Sequence, residues 1–263
     1  MIFLQFLEII ESHWLILLLF FIIAILYASV GFGGGSSYLA ILALTGIAFT
    51  QIRTTALLCN VVVVAGNVLV FQKQKLLDWK KVVPLVVVSV PLAYLGGTVK
   101  ISQAFFFILL GLTLLFAAIT MWVSKRIITN KETSDKKSSV KNGIYGGFIG
   151  FISGMVGIGG GIFLAPILHL SNWGTPKKIA ATASFFILVN SIAGLIGQYS
   201  SENFNSNGYV TFTLLVVVFI GGQIGNRMNI RYFTPIQLRK ATAILIIFVA
   251  IRILWKSFNL LIY

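Results

Sequence analysis

The chain has 263 residues, of which 58% are hydrophobic and only 10% charged, and its formal net charge is +14. Soluble domains carry about 25% charged residues, so an ordinary globular enzyme or binding module is excluded. The basic excess does not indicate nucleic acid either, because lysines and arginines sit between apolar stretches, as the positive-inside rule demands of a membrane protein.

In chain order, residues 1–13 carry Glu8 and Glu11 but no Lys or Arg, the reverse of a signal-peptide n-region. An uncharged stretch then runs from Ser12 to Ile52 and is interrupted by Val30-Gly31-Phe32-Gly33-Gly34-Gly35. Uncharged stretches follow at Thr54–Gln72, Val82–Val99 and Ile101–Ser124. Each approaches or exceeds the roughly 20 apolar residues that one span needs. Lys125–Lys141 is polar, lysine-rich and without apolar period, which predicts a cytoplasmic linker. Apolar sequence resumes at Asn142–Pro176, interrupted by Val156-Gly157-Ile158-Gly159-Gly160-Gly161. It continues at Ile179–Ser201, Asn203–Asn226 and, less cleanly, Thr234–Trp255. The five tryptophans, at 14, 79, 122, 173 and 255, fall at or beyond segment ends, as an interfacial aromatic belt would place them.

The expected fold is therefore an all-α polytopic membrane protein made of two repeats, residues 12–124 and 142–258, joined by the linker 125–141. Each repeat has a glycine-broken helix with a short arm of about a dozen residues, then three longer spans, about eight spans in all by conventional counting. Aligned without gaps, residues 24–46 and 150–172 share 8 identities in 23 positions. Slipping by one residue then matches Ile52, Thr55 and Ala56 with Ile179, Thr182 and Ala183. If each broken segment enters and leaves on one side, three further crossings invert the second repeat relative to the first. With Lys73, Lys75, Lys80 and Lys81 in the cytoplasm, 16 of 20 Lys and Arg fall inside, and only Arg53, Lys100, Arg252 and Lys256 fall outside. Both termini then lie outside.

Exposed backbone polar groups are costly in lipid, so a glycine-broken helix is expected where it lines a cavity. Such breaks at matching positions of two halves are the best sequence pointer to a transporter's binding site. A helix start offers unpaired N–H groups and the positive end of the peptide dipoles, a setting for an anion. Candidate ligands are Gly33, Gly34, Gly35, Ser36 and Ser37 in the first copy and Gly159, Gly160 and Gly161 in the second. On the spans that follow, Thr54, Thr55, Thr182, Ser184 and Asn190 are the candidate polar shell. Arg53 reads as a snorkelling interface residue that could also attract an anion.

Small-xxx-small packing is the competing reading of these glycines. It is preferred for Gly146/Gly150/Gly154 and Gly221/Gly225, and the break is preferred for the repeated triplets. All six acidic residues lie in loops or tails, whereas a cation or proton pump usually buries a carboxylate in its spans. No HExxH, paired carboxylates or GxSxG is present, so no enzyme is expected, and the single Cys59 cannot form a disulfide framework or a thiolate cluster. No metal or cofactor is expected.

On VGFGGGSSYLAILALTG with RTTA, and GMVGIGGGIFLAPILHLSNWG with IAATAS, the chain resembles the sulfite exporter TauE/SafE family, the toluene sulfonate uptake permeases. The resemblance covers 12–258. The family's proline five residues after the last glycine is present as Pro166 but replaced by Ala40 in the first copy, where Ser36-Ser37 also replace apolar residues. The resemblance implies transport of sulfite, sulfonates or other small organosulfur anions across a bacterial inner membrane. The reading is a secondary transporter working by alternating access. The alternatives are a channel-like anion uniporter and a non-transporting scaffold or accessory subunit. Its partners are a small anion, the bilayer and a coupling proton or sodium ion, with a homo-oligomer possible and no nucleic acid.

Overall fold

The computed structural model describes residues 2–123, 138–170, 173–227, 244 and 247–255. Among them, all regular structure is helical: α1 (Ile2–Ser29), α2 (Gly35–Leu42), α3 (Phe49–Lys73), α4 (Trp79–Thr98), α5 (Gln103–Val123), α6 (Ser138–Val156), α7 (Gly161–Leu170), α8 (Pro176–Ser200), α9 (Gly208–Arg227) and α10 (247–255). Most of the linker and of the expected 227–240 turn lies outside the described residues, as does the side chain of His169. Helices α3, α4, α8 and α9 are long and apolar enough to cross a bilayer, and His13–Ser29, Gln103–Phe116 and Gly143–Val156 are shorter apolar helices.

Both apolar stretches break at their glycines. After α1 the chain leaves helical geometry until Gly34, whose φ of 85° caps α2; after α6 it does so until Gly160, whose φ is 79°. These left-handed values disfavour any residue with a Cβ. The short arm α2 has 8 residues, fewer than the dozen expected, and α7 is described over 10, from Gly161 to Leu170.

Helices α3 and α8 form the centre. Their most apolar windows are 56% and 61% buried, against 33% and 39% for α4 and α9. Packing repeats under exchange of the halves: α1 packs on α9 as α6 packs on α4, α9 on α3 as α4 on α8, and α2 on α3 as α7 on α8. Small residues make the first of these contacts possible. A Cβ on Gly146 would stand 2.9 Å from Leu85 O, one on Gly150 2.5 Å from Ser89 O, and one on Gly154 would overlap Ala93 O. On the other side, a Cβ on Gly221 would stand 2.8 Å from Phe21 O and one on Gly225 would overlap Ile25 O. Both sets are thus packing glycines, as the sequence reading preferred.

Helices α3 and α8 run antiparallel. Thr54, near the start of α3, bonds Gln198, near the end of α8, while Phe71 and Ala180 at the opposite ends both border Gly31. The break after α6 lies near the start of α3, where Gly157 meets the Arg53 backbone. Helix α7 then turns back, because Lys81 at the start of α4 donates to Trp173 O just beyond α7. Trp173 is accordingly buried at 8% exposure, whereas Trp14, Trp79 and Trp255 are exposed as a belt requires.

Candidate functional site

The glycine breaks meet across α3 and α8. A Cβ on Gly33 would fall on Asn60 Oδ1, and one on Gly35 would fall on Asn60 Nδ2 and stand 2.7 Å from Ile158 O. A Cβ on Gly159 would stand 2.7 Å from Asn60 Nδ2 and 2.9 Å from Ser191 Oγ. Three glycines from two breaks therefore surround one asparagine, and only hydrogen in place of a side chain lets them do so. Asn60 Nδ2 donates to Ile158 O at 3.0 Å, joining the first half to the second break.

Asn60 is fully buried and its Oδ1 has no partner; the same holds for Ser191 Oγ. A buried polar atom without a partner costs about 1–3 kcal/mol, so two of them at a glycine junction make a polar centre poised for a ligand. The contact between the two breaks is close but not apolar.

Two polar rows lead away from this centre. On α3 the row is Arg53, Asn60 and Asn67; on α8 it is Ser184, Ser191 and Gln198. Residues seven apart return to almost the same helix face, drifting by about 20° per heptad. All six are buried: Arg53 and Asn67 are 1% exposed, and the others are fully enclosed. Because α3 and α8 are antiparallel, the rows pair as rungs. At one end Asn67 Nδ2 donates to Phe32 O and Ser184 Oγ donates to Gly31 O, tying both residues to the first break. Asn60 and Ser191 form the middle rung. At the other end, Thr54 Oγ1 donates to Gln198 Oε1 at 2.9 Å, and Arg53 lies against the second break.

The remaining candidates are distributed around this seam. Gly34 borders Ile23 and Tyr38, and Gly160 borders Phe186, Ile149 and Ser153, so both face their own halves. Gly161 abuts Ile187. Ser36 is buried, and Ser37 Oγ lies 2.9 Å from the Tyr27 hydroxyl, which secures α2 to α1. Thr55 shares a hydrogen bond with Thr211 at 3.2 Å, linking α3 to α9. Thr182 is buried in α8, and Asn190 Nδ2 donates to Phe186 O within its own helix. The geometry therefore brings Gly33, Gly35, Gly159 and Ser184 to the seam, with Thr54 at its end.

Asn60, Ser191 and Gln198 belong to the site although the sequence reading did not single them out. The signal present in the chain is the seven-residue spacing of polar residues on each central span. Arg53 also differs from expectation. It ranks among the largest fully buried side chains and does not snorkel. It lies one turn inside α3 with its backbone against Gly157, and the neighbouring Thr54 Oγ1 accepts from Asn205 N at 3.4 Å.

Helices α2 to α9 contain no Asp or Glu. The chemistry offered along the seam is thus that of amides, hydroxyls, backbone and one guanidinium.

Comparison with known proteins agrees with this architecture. The pattern of the family described as "Sulfite exporter TauE/SafE" matches residues 16–253. A "Probable membrane transporter protein" of Sinorhizobium fredii is 36% identical over 241 residues, covering 90% of this chain and 96% of its own. Another, from Methanocaldococcus jannaschii, is 28% identical over 246 residues, covering 86% and 89%. No solved structure matches the chain. With the match spanning both glycine breaks and nearly every helix, the chain belongs to the sulfite exporter TauE/SafE family of membrane transporters.

Proposed function

We propose that the protein moves a small oxyanion, a sulfite, sulfonate or related organosulfur anion, by alternating access of two inverted halves. The single observation that carries this reading is the meeting of both glycine breaks at the buried Asn60, beside the unpartnered hydroxyl of Ser191. The absence of any acid in α2 to α9 favours an anion over a cation as cargo. The family description supplies the sulfur chemistry.

Inversion is supported by the antiparallel course of the equivalent helices α3 and α8 and by the exchange symmetry of the packing. In this reading α1–α2 and α6–α7 are hairpins entering from opposite faces. The first N–H groups of α2 and α7 and the hydroxyl of Ser36 complete the shell. The chain sits in a bacterial inner membrane with both termini outside, and a proton or sodium gradient drives the movement.

Proteoliposome uptake tests the reading directly. Sulfite, sulfate, taurine, sulfoacetate and thiosulfate are offered under imposed proton, sodium or voltage gradients. Saturable uptake of at least one sulfur oxyanion, stimulated by anion on the opposite side, is expected. Unsaturable flux that follows voltage alone would mark a channel, and no flux of any anion would refute the proposal.

A further inference from the structure

We infer that Arg53 and Gln198 form a separate anion-recognition station at the α3-start end of the seam, one heptad from Asn60. The inference rests on the reading of the protein as an anion transporter and names the groups that meet the charge. Three observations carry it.

First, Arg53 is 1% exposed, and its Nε and Nη2 have no hydrogen-bond partner among the described residues. A guanidinium keeps its charge at any physiological pH. Burying it unpaired is strongly unfavourable, so its natural complement is a counter-charge. Helices α2 to α9 carry no carboxylate to provide one.

Second, Gln198 is buried at the same end, beside Thr54, and its Nε2 has no partner. Thr54 Oγ1 lies 2.9 Å from Gln198 Oε1 and 3.1 Å from Thr50 O, and its one proton serves a single one of them. Nε and Nη2 of Arg53 are donors only, so this end suits a ligand rich in acceptors.

Third, the repeat itself isolates Arg53 as a specific addition. With Thr55 matched to Thr182, the counterpart of Arg53 is Ala180, and the counterpart of Gln198 is Phe71. Gly31 borders Ala180 and Phe71 just as Gly157 borders Arg53. At these matched positions one end of the seam carries Ala180 and Phe71 and the other Arg53 and Gln198. A planar guanidinium fork matches two oxygens of a sulfonate, sulfite or carboxylate. The fork also rejects cations and neutral sulfur compounds by charge. The station therefore selects an oxyanion before it reaches Asn60, about 10 Å deeper at 1.5 Å per residue.

The test uses the full chain in detergent and in proteoliposomes, with sulfite and sulfoacetate as probes. For Arg53→Gln, KM for anion uptake is expected to rise about tenfold or more, the loss of a charge-assisted hydrogen bond. Stabilisation of the thermal transition by the anion is expected to vanish. Arg53→Lys, which keeps charge but not the fork, should fall between Arg53→Gln and the wild type. Gln198→Leu should raise KM several-fold. Without anion, Arg53→Gln should unfold no lower than the wild type, because it removes an unpaired buried charge; a purely structural arginine would give a lower transition. Wild-type KM and wild-type anion stabilisation in both Arg53→Gln and Gln198→Leu would overturn the station while leaving anion transport standing. Absence of anion uptake by the wild-type protein would instead remove the reading on which it rests.

Discussion

At the residue scale, the account turns on Asn60. Its side chain fills the space that Gly33, Gly35 and Gly159 leave open, and its Oδ1 remains unpartnered. Asn60→Asp keeps the shape but sets a negative charge where the anion is proposed to pass. Like charges brought together cost several kcal/mol, so uptake should drop by about a hundredfold or more while membrane insertion is retained. Measuring initial uptake rates on equal amounts of reconstituted protein checks this. Gly34→Leu and Gly160→Leu should each reduce uptake to background by a different route. Both glycines need positive φ, and a Cβ would stand 3.0 Å from Ile23 on one and 2.8 Å from Phe186 on the other. Retained uptake in both variants would show that the breaks serve packing alone. The glycine triplets were legible in the sequence because they repeat. Asn60 was not, because its counterpart is Ile187, and a lone asparagine in an apolar span reads equally well as a bond between helices. Arg53 read as an interface residue because its burial comes from tertiary packing, such as that of the second break against its backbone, which the local sequence does not show.

At the scale of elements, the broken helices could be read from composition, since consecutive glycines in an apolar stretch have few other uses. The lengths of the arms were less legible. Helix α2 ends at Leu42, before its apolar sequence ends, so composition overstates it. The polar rows of α3 and α8 emerge only when the two helices are set antiparallel, because neither row alone tells which face is shared. Packing of α4 on α6 makes a separate prediction. A Cβ at Gly154 would overlap Ala93 O, and Gly150 and Gly146 are nearly as tight. Gly154→Leu should lower stability by about 1–3 kcal/mol or more, the usual cost of overpacking. A fall in the thermal transition in detergent measures this. Gly143→Leu, where the nearest atom to a new Cβ is 3.6 Å away, should change it little.

At the scale of the whole molecule, the charge map and the packing both support the proposed inverted arrangement. Loop charge argued for it from the crowding of lysines on one side; the antiparallel α3 and α8 support it from contacts. A topology experiment joins the two. In a Cys59→Ala background, cysteines at Lys80 and Lys178 should be labelled from the same face by an impermeant maleimide, and one at Lys100 from the opposite face. Labelling of Lys80→Cys and Lys178→Cys from opposite faces would contradict the hairpin reading of α6–α7. The central claim is that an anion crosses at the junction of the two breaks, and counterflow tests it most directly. Proteoliposomes loaded with unlabelled sulfite are diluted into radiolabelled sulfite, with wild type beside Asn60→Asp. The account predicts a transient accumulation of label in the wild type and none in Asn60→Asp. Equal accumulation in both proteins would contradict it.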